Sequence, residues 1–192
     1  MMNLNKLKAK PRKFCAIDAS TNTLAFAVFD GNRIISCGKI NFAGNTTYEK
    51  VMDAAKKTKA FFDKFDFDAI IIEHTVFMNS PKTAAQLATL QGALLGAAGL
   101  AGVKKIGSVS PMTWQNYIGN KKITKEEKAA IVKANPGRSV SWLKNEERNI
   151  RKQRTINYIN INYDKALTDD DVADACAIGH WALANWDKAF GY

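Results

Sequence analysis

The chain of 192 residues is 46% hydrophobic and 24% charged, a balance that fits one globular domain and excludes disordered, fibrous and two-domain classes. Its longest apolar stretch, Gly92 to Val103, is too short to span a bilayer, and the basic start Met1–Lys13 has no apolar segment behind it, so neither a membrane span nor a signal peptide is expected. The formal net charge of +10 is concentrated in residues 1–13, with five Lys/Arg and no acid, and residues 104–154, with thirteen Lys/Arg against four Glu.

The basic residues 1–13 are expected to form a tail, and residues 14–192 a single domain with a basic insertion at about 119–154. Phe14–Ser20 reads as a first strand that carries an acid, Leu24–Phe29 as a second and Arg33–Phe42 as a third, the last two joined by an Asp30-Gly31-Asn32 turn. Thr46 or Thr47 caps a helix to about Phe65, whose apolar stripe includes Val51, Ala54, Phe61 and Phe62. Asp68–Glu73 is a buried central strand of β-branched residues closing on an acid. Pro81 opens a helix to about Ala101, and Val103–Val109 is a fifth strand. Short helices over Pro111–Ile118 and Thr124–Lys133, a break at Asn135–Arg138 and a polar, basic helix over Trp142–Asn162 follow; Tyr158–Tyr163 also has strand-like alternation. The last helix begins near Thr168 or Asp169 and runs to about Asp187. The order βββαβαβ calls for an α/β fold: a five-stranded mixed sheet, three strands antiparallel and then two parallel, flanked by helices.

Four acids stand out. Asp18 lies in the first strand, Glu73 ends the fourth, and Asp171 and Asp174, spaced i, i+3, share one face of the last helix. Neighbouring first and fourth strands with that helix packed over them would bring all four together, and such a cluster repels itself unless cations sit between the acids. Hard oxygen ligands suit two Mg2+ ions, with Mn2+ able to substitute, and a pair of such ions supports phosphodiester hydrolysis. Taken singly, each acid has an ordinary reading as a turn former or helix-start charge, and Asp169 and Asp170 fit that role.

The segments Ala-Ile-Asp18-Ala-Ser, Ile-Ile-Glu73-His-Thr-Val-Phe-Met78 and Asp171-Val-Ala-Asp174-Ala-Cys-Ala-Ile178 resemble, in order and spacing, the three acidic motifs of RuvC-type Holliday-junction resolvases. Gln86–Gly92 looks like the family's following helix, and the resemblance covers most of residues 14–118 and 165–185. It implies an RNase H-like fold, a homodimer, two Mg2+ per active site held by Asp18, Glu73, Asp171 and Asp174, and paired nicks across a four-way junction. Two departures stand against the bacterial pattern: the Glu73 motif has one residue more before Phe77-Met78, and residues 119–145 are longer. The compact form resembles phage-encoded members.

Lys144, Arg148, Arg151, Lys152 and Arg154 crowd one helix, with Arg148, Arg151 and Lys152 on one side as a phosphate-contacting face. Lys152 reads either as the lysine that the family places near the scissile phosphate or as part of a plain solvated face; Lys121, Lys122 and Lys125 would touch phosphates farther along a duplex arm. Phe77 and Met78, just past Glu73, read either as an apolar wedge that unstacks bases, as the resemblance suggests, or as core residues. His74 alternates away from Glu73, and His180 lies about 240° round the helix from Asp174, so both read as structural. Trp114, Trp142, Trp181 and Trp186 read as packing residues. Small residues at Ala84, Ala88, Gly92, Gly96 and Gly99 admit close approach of another backbone, either at a dimer seam or against the sheet.

Cys15, Cys37 and Cys176 have no metal-type spacing and read as buried free thiols in a reducing compartment, which with the missing export signals points to cytoplasm. Branched DNA and a second copy of the chain are the expected partners, with no membrane and no small-molecule cofactor. The alternatives are an RNase H-like nuclease for other branched DNA or RNA–DNA hybrids, and a non-catalytic junction-binding module. Anions facing phosphates argue against the last. An actin-like sugar-kinase ATPase would need a second domain and glycine-rich phosphate loops that 192 residues leave no room for.

Overall fold

Alternation in the first strand decides how the layers stack. The computed structural model describes residues 13–74 and 80–191. In β1 (Lys13–Ala19), Phe14 and Ala16 point to one face and Cys15 and Ile17 to the other, and all four are fully buried. A strand buried on both sides must be central. It has β2 (Thr23–Asp30) as its antiparallel neighbour on one side and β4 (Ala69–Glu73) as its parallel neighbour on the other. Beyond them lie β3 (Arg33–Asn41), antiparallel to β2, and β5 (Lys105–Val109), parallel to β4, giving the order β3-β2-β1-β4-β5. This is the mixed sheet expected from the sequence.

Two helices cover the Cys15–Ile17 face. In α1 (Thr47–Phe62) a complete capping box links Thr46 and Glu49 at the start, and the helix brings Ala54, Phe61 and Phe62 onto the sheet. Its partner α2 (Pro81–Leu100) contributes Leu90, Leu94 and Ala98. The other face is covered mainly by α6 (Asp170–Ala184), whose Ala175, Ala177, Ile178 and Gly179 are buried. Close packing requires Gly179, since a Cβ there would stand 2.0 Å from Phe29 Cε2. Around α6 pack α3 (Pro111–Tyr117), α5 (Val140–Tyr163) and α7 (Trp186–Phe190), while α4 (Lys125–Ala134) leans on α5. Among the described residues no helix is long and apolar enough to cross a membrane.

One expectation needs correction, and two open readings are decided. The last helix does not run to Asp187: it stops at Ala184, the Asn185 backbone bends away (φ −127°), and α7 crosses back over β5. The gain is cover for Phe14, whose ring meets Trp186 and Phe190 edge-on at centroid distances of 5.4 and 6.2 Å. Residues 158–163 continue the expected helix and not a strand, with Ile156 and Ile159 buried on one side of α5. The small residues of α2 are not a tight helix–sheet contact: a Cβ at Gly92, Gly96 or Gly99 would meet nothing within 4 Å. Cys15 and Cys176 are buried and Cys37 half-buried, all as free thiols.

Candidate active site

The parallel pairing of β1 with β4 ends with Ile17 opposite Ile72. One step further along the same register stand Asp18 and Glu73. Because side chains alternate, both lie on the face of Ala16 and Ile71, beneath α6. The row extends across the sheet, since Asp18 pairs with Ala25 and Ala25 with Lys39. Ala25 leaves room above this row, and the first turn of α6 descends over it. Asp169 caps that helix, its Oδ1 accepting the Val172 N–H at 3.1 Å. The helical spacing turns Asp170, Asp171 and Asp174 into one cleft with Asp18.

The charges crowd. Burial, and then repulsion from Glu73, Asp174, Asp171 and Asp170, pushes the Asp18 carboxyl up to about 8. Burial and Glu73 push Asp174 up to about 7, against a hydrogen bond from Thr155. Burial also raises Glu73, opposed by the Trp114 indole, whose Nε1–H donates to Glu73 Oε2 at 2.7 Å. Lys39 reaches in from β3 to Asp171 Oδ2 at 2.6 Å and Asp169 Oδ2 at 2.8 Å. Although burial works against its charge, these two carboxylates push its pKa up to about 12.

The four acids named from the sequence therefore meet at one end of the sheet. Among the described residues, however, no three Asp, Glu, His or Cys side chains already stand as a ligand set. Protein groups engage two of the carboxylates directly, Trp114 holding Glu73 and Lys39 holding Asp171, while the Thr155 hydroxyl works against the rise in the Asp174 pKa. The donor chemistry suits a hard divalent cation, and each carboxylate would have to share or exchange its present partner to take one.

The opposite wall of the cleft, which encloses about 250 Å³, is basic and polar: Arg148, Arg151 and Lys152 of α5, with Gln115, Asn120 and Thr155. Lys152 pairs with Asp170, and Arg151 Nη2 donates to Gln115 Oε1 at 2.5 Å. Arg154 departs from the expected group: it pairs with Glu127 of α4, outside the cleft wall. Lys121, Lys122, Lys125 and Lys144 are exposed and do not line the cleft. Phe77 and Met78 lie outside the described residues. His180 is structural: its ring nitrogens hydrogen-bond the Tyr158 and Tyr163 hydroxyls at 3.0 and 2.9 Å. His74 is exposed.

Sequence reasoning missed five residues. Asp170, taken as a helix-start charge, faces the cleft, and its i, i+4 relation to Asp174 was the available signal. Trp114 does more than pack, because its indole N–H holds Glu73. Lys39, Asn120 and Thr155 carry no local signal, since only the tertiary register brings them to the acids.

No protein-family model matches the chain. It is 26% identical over 129 residues to the crossover junction endodeoxyribonuclease RuvC of Helicobacter pylori strain G27, an alignment covering 63% of this chain and 80% of that protein. Among solved structures, T. thermophilus RuvC in complex with Holliday junction substrate matches with a TM-score of 0.64 and 17% identity, over 93% of this chain and 98% of that one. The yeast mitochondrial Holliday junction resolvase matches with a TM-score of 0.50 and 14% identity, over 93% of this chain and 80% of that one. The resemblance read from the acidic motifs thus extends to the whole sheet-and-helix arrangement, and the chain has the RNase H-like fold of RuvC.

Proposed function

We propose that the chain is a structure-selective DNA endonuclease that resolves four-way junctions by metal-assisted phosphodiester hydrolysis. The observation that carries this reading is the convergence of Asp18, Glu73, Asp171 and Asp174 at one end of the sheet, facing a wall of Arg148, Arg151 and Lys152. A purely structural cluster of acids would be self-repelling. A pure DNA binder would gain nothing from anions beside the phosphate path. Similarity to RuvC from Helicobacter pylori and to a RuvC complex with a Holliday junction supports four-way junctions as the substrate.

In this reading Asp18, Glu73, Asp171 and Asp174 would hold two Mg2+ or Mn2+ ions, which supply activation of a water and stabilisation of the leaving oxygen. The chain's own residues prepare that site. Trp114 and Thr155 fix two of the carboxylates, and Arg148, Arg151 and Lys152 receive the phosphate backbone without reading sequence. Lys152, freed from Asp170, is the group proposed at the scissile phosphate. Phe77 and Met78, which follow the Glu73 motif in sequence, are proposed as the stacking wedge. Lys121, Lys122, Lys125 and Lys144, all exposed, are left for outlying phosphates of a duplex arm.

Two symmetric nicks call for two active sites, and a twofold dimer matches the pseudo-symmetry of a junction. The outward face of α2 supports a seam there, since Gly92, Gly96 and Gly99 face open space and Leu100 is 79% exposed. A cleavage panel in Mg2+ tests the substrate: four-way junction, flap, linear duplex, single strand and RNA–DNA hybrid. Paired nicks in the junction alone are expected. Preferential cutting of the hybrid would transfer the reading to an RNase H-type activity on the same fold.

A further inference from the structure

Asp174 owes its place to two residues outside the acid set. Thr155 of α5 lines the same cleft, and its hydroxyl holds the Asp174 carboxyl below where burial alone would push it. A threonine within a helix ordinarily returns its hydroxyl proton to the carbonyl four residues earlier, which for Thr155 is that of Arg151. That carbonyl is already engaged: Asn120 Nδ2 donates to Arg151 O at 2.8 Å and, through its second hydrogen, to Thr155 Oγ1 at 2.9 Å. With Oγ1 accepting from Asn120 and the usual acceptor occupied, the Thr155 proton is directed to the Asp174 carboxylate.

The arrangement is protected from water, Asn120 being 4% and Thr155 1% exposed. It is also directional. Turning the amide over would set Asn120 Oδ1 against the Arg151 carbonyl, two acceptors face to face. The orientation adopted leaves Oδ1 buried with no hydrogen-bond partner among the described residues, a cost accepted to keep both amide hydrogens on α5. Asn120 is placed by the turn that ends α3, where Gly119 takes φ 76° and the Asn120 N–H returns to Gln115 O at 2.8 Å.

We propose that Asn120 and Thr155 are a positioning pair that aims the Asp174 carboxylate into the cleft and so sets the affinity of this site for a divalent cation. This rests on the reading of Asp174 as a metal ligand. Partners that orient a ligand without being one are worth about 10–100-fold in metal affinity.

The test uses the full chain and two buried-site variants, with the thermal midpoint followed against Mg2+ or Mn2+ concentration and direct calorimetric titration with Mn2+. Thr155→Val keeps the side-chain shape and removes the hydroxyl; its half-saturating metal concentration should rise about 10–100-fold, and Thr155→Ser should restore the wild-type value. Asn120→Leu frees the Arg151 carbonyl, so the Thr155 hydroxyl swings back to it, and metal affinity should fall in the same direction. The double variant should be no worse than Thr155→Val alone, since both act through one hydrogen bond. Wild-type half-saturation in both single variants overturns the pair. Should Thr155→Val lower the metal-free midpoint too far to titrate, Asn120→Leu decides alone: wild-type metal affinity there overturns the proposal, and weakened affinity supports it. A wild-type chain that shows no metal-dependent shift removes the metal reading itself and the pair's role with it, a result distinct from wild-type-like variants of a metal-binding chain.

Discussion

Asp18→Asn should make the metal-free protein more stable while abolishing cleavage. The Asp18 carboxyl titrates at about 8 in the folded chain against an ordinary value of 3.8, so between those limits the native state keeps a proton that the unfolded state has released. Stability therefore falls as pH rises through that window, by up to about 1.4 kcal/mol per pH unit, and no contribution remains below about pH 4, where both states are protonated. Over the roughly three units up to pH 7 the ceiling is about 4 kcal/mol. Asp174, at about 7, carries part of the same repulsion, so about 2 kcal/mol is the expected gain from one substitution. For a chain of this size that corresponds to about 4–8 °C in thermal midpoint. Differential scanning fluorimetry in EDTA from pH 5 to 8 should show the variant above wild type by a margin that widens with pH. Millimolar Mg2+ should then raise the wild-type midpoint, because the ion binds the native state alone, and leave the variant's unchanged. Junction binding should survive in the variant. An Asp18→Asn midpoint equal to or below wild type across that range would show that neither burial nor the neighbouring acids disfavour the Asp18 carboxylate, and the cation-site argument would fall with it.

Reversing charge at Arg151 and Lys152 to Glu should weaken junction binding and reduce the slope of log affinity against log salt by up to about 2, as filter binding from 50 to 200 mM salt would read. Arg154→Ala, at a residue turned to Glu127, should leave that slope unchanged and lower stability by less than about 1 kcal/mol on urea denaturation. Gly96→Glu meets open space on a helix interior that favours glutamate over glycine, so the variant should fold with stability unchanged or raised by up to about 1 kcal/mol. If α2 is the dimer seam, analytical ultracentrifugation should show that variant as a monomer, and a wild-type dimer that survives it would place the seam elsewhere.

The sheet was legible because its signals are local and periodic: a run of isoleucines closing on Glu73, a turn at Asp30-Gly31-Asn32, an acid in the first strand. The site's acids followed because a mixed sheet can set the first and fourth strands side by side and the acidic motifs resemble a known set; the structure pairs β1 with β4, and alternation puts Asp18 and Glu73 on one face. What escaped was everything set by register between distant segments. Lys39 joins the acids only because it pairs with Ala25, and Ala25 with Asp18. Asn120, inside the stretch where the chain departs from the bacterial pattern, meets Thr155 of α5 from the turn that follows α3. The end of α6 was misjudged because Asn185, a helix-stop residue that caps α6, was passed over in favour of the apolar residues beyond it, which instead form α7 and fill the space beside Phe14.

Two lysines meet the start of α6: Lys39 against Asp169 and Asp171, and Lys152, from the cleft wall, against Asp170. A phosphate entering this cleft could exchange with Asp170 for Lys152, since the ammonium would remain paired. It would still face Asp18 and Asp174. A divalent cation has the reciprocal difficulty, since the basic wall of Arg148, Arg151 and Lys152 repels it until a phosphate offsets that charge. Metal and DNA should therefore bind with positive coupling, each tightening the other by the same factor, on the order of 5–150-fold. Ca2+, an oxygen-seeking cation of looser geometry, gives a way to read this apart from Mg2+ turnover. Junction affinity measured by fluorescence anisotropy at fixed ionic strength should be higher in Ca2+ than in EDTA, and Asp18→Asn should lose most of that difference. Equal affinities in Ca2+ and EDTA for the wild-type chain would mean that acids and bases act on separate partners, and that the cleft is not one site.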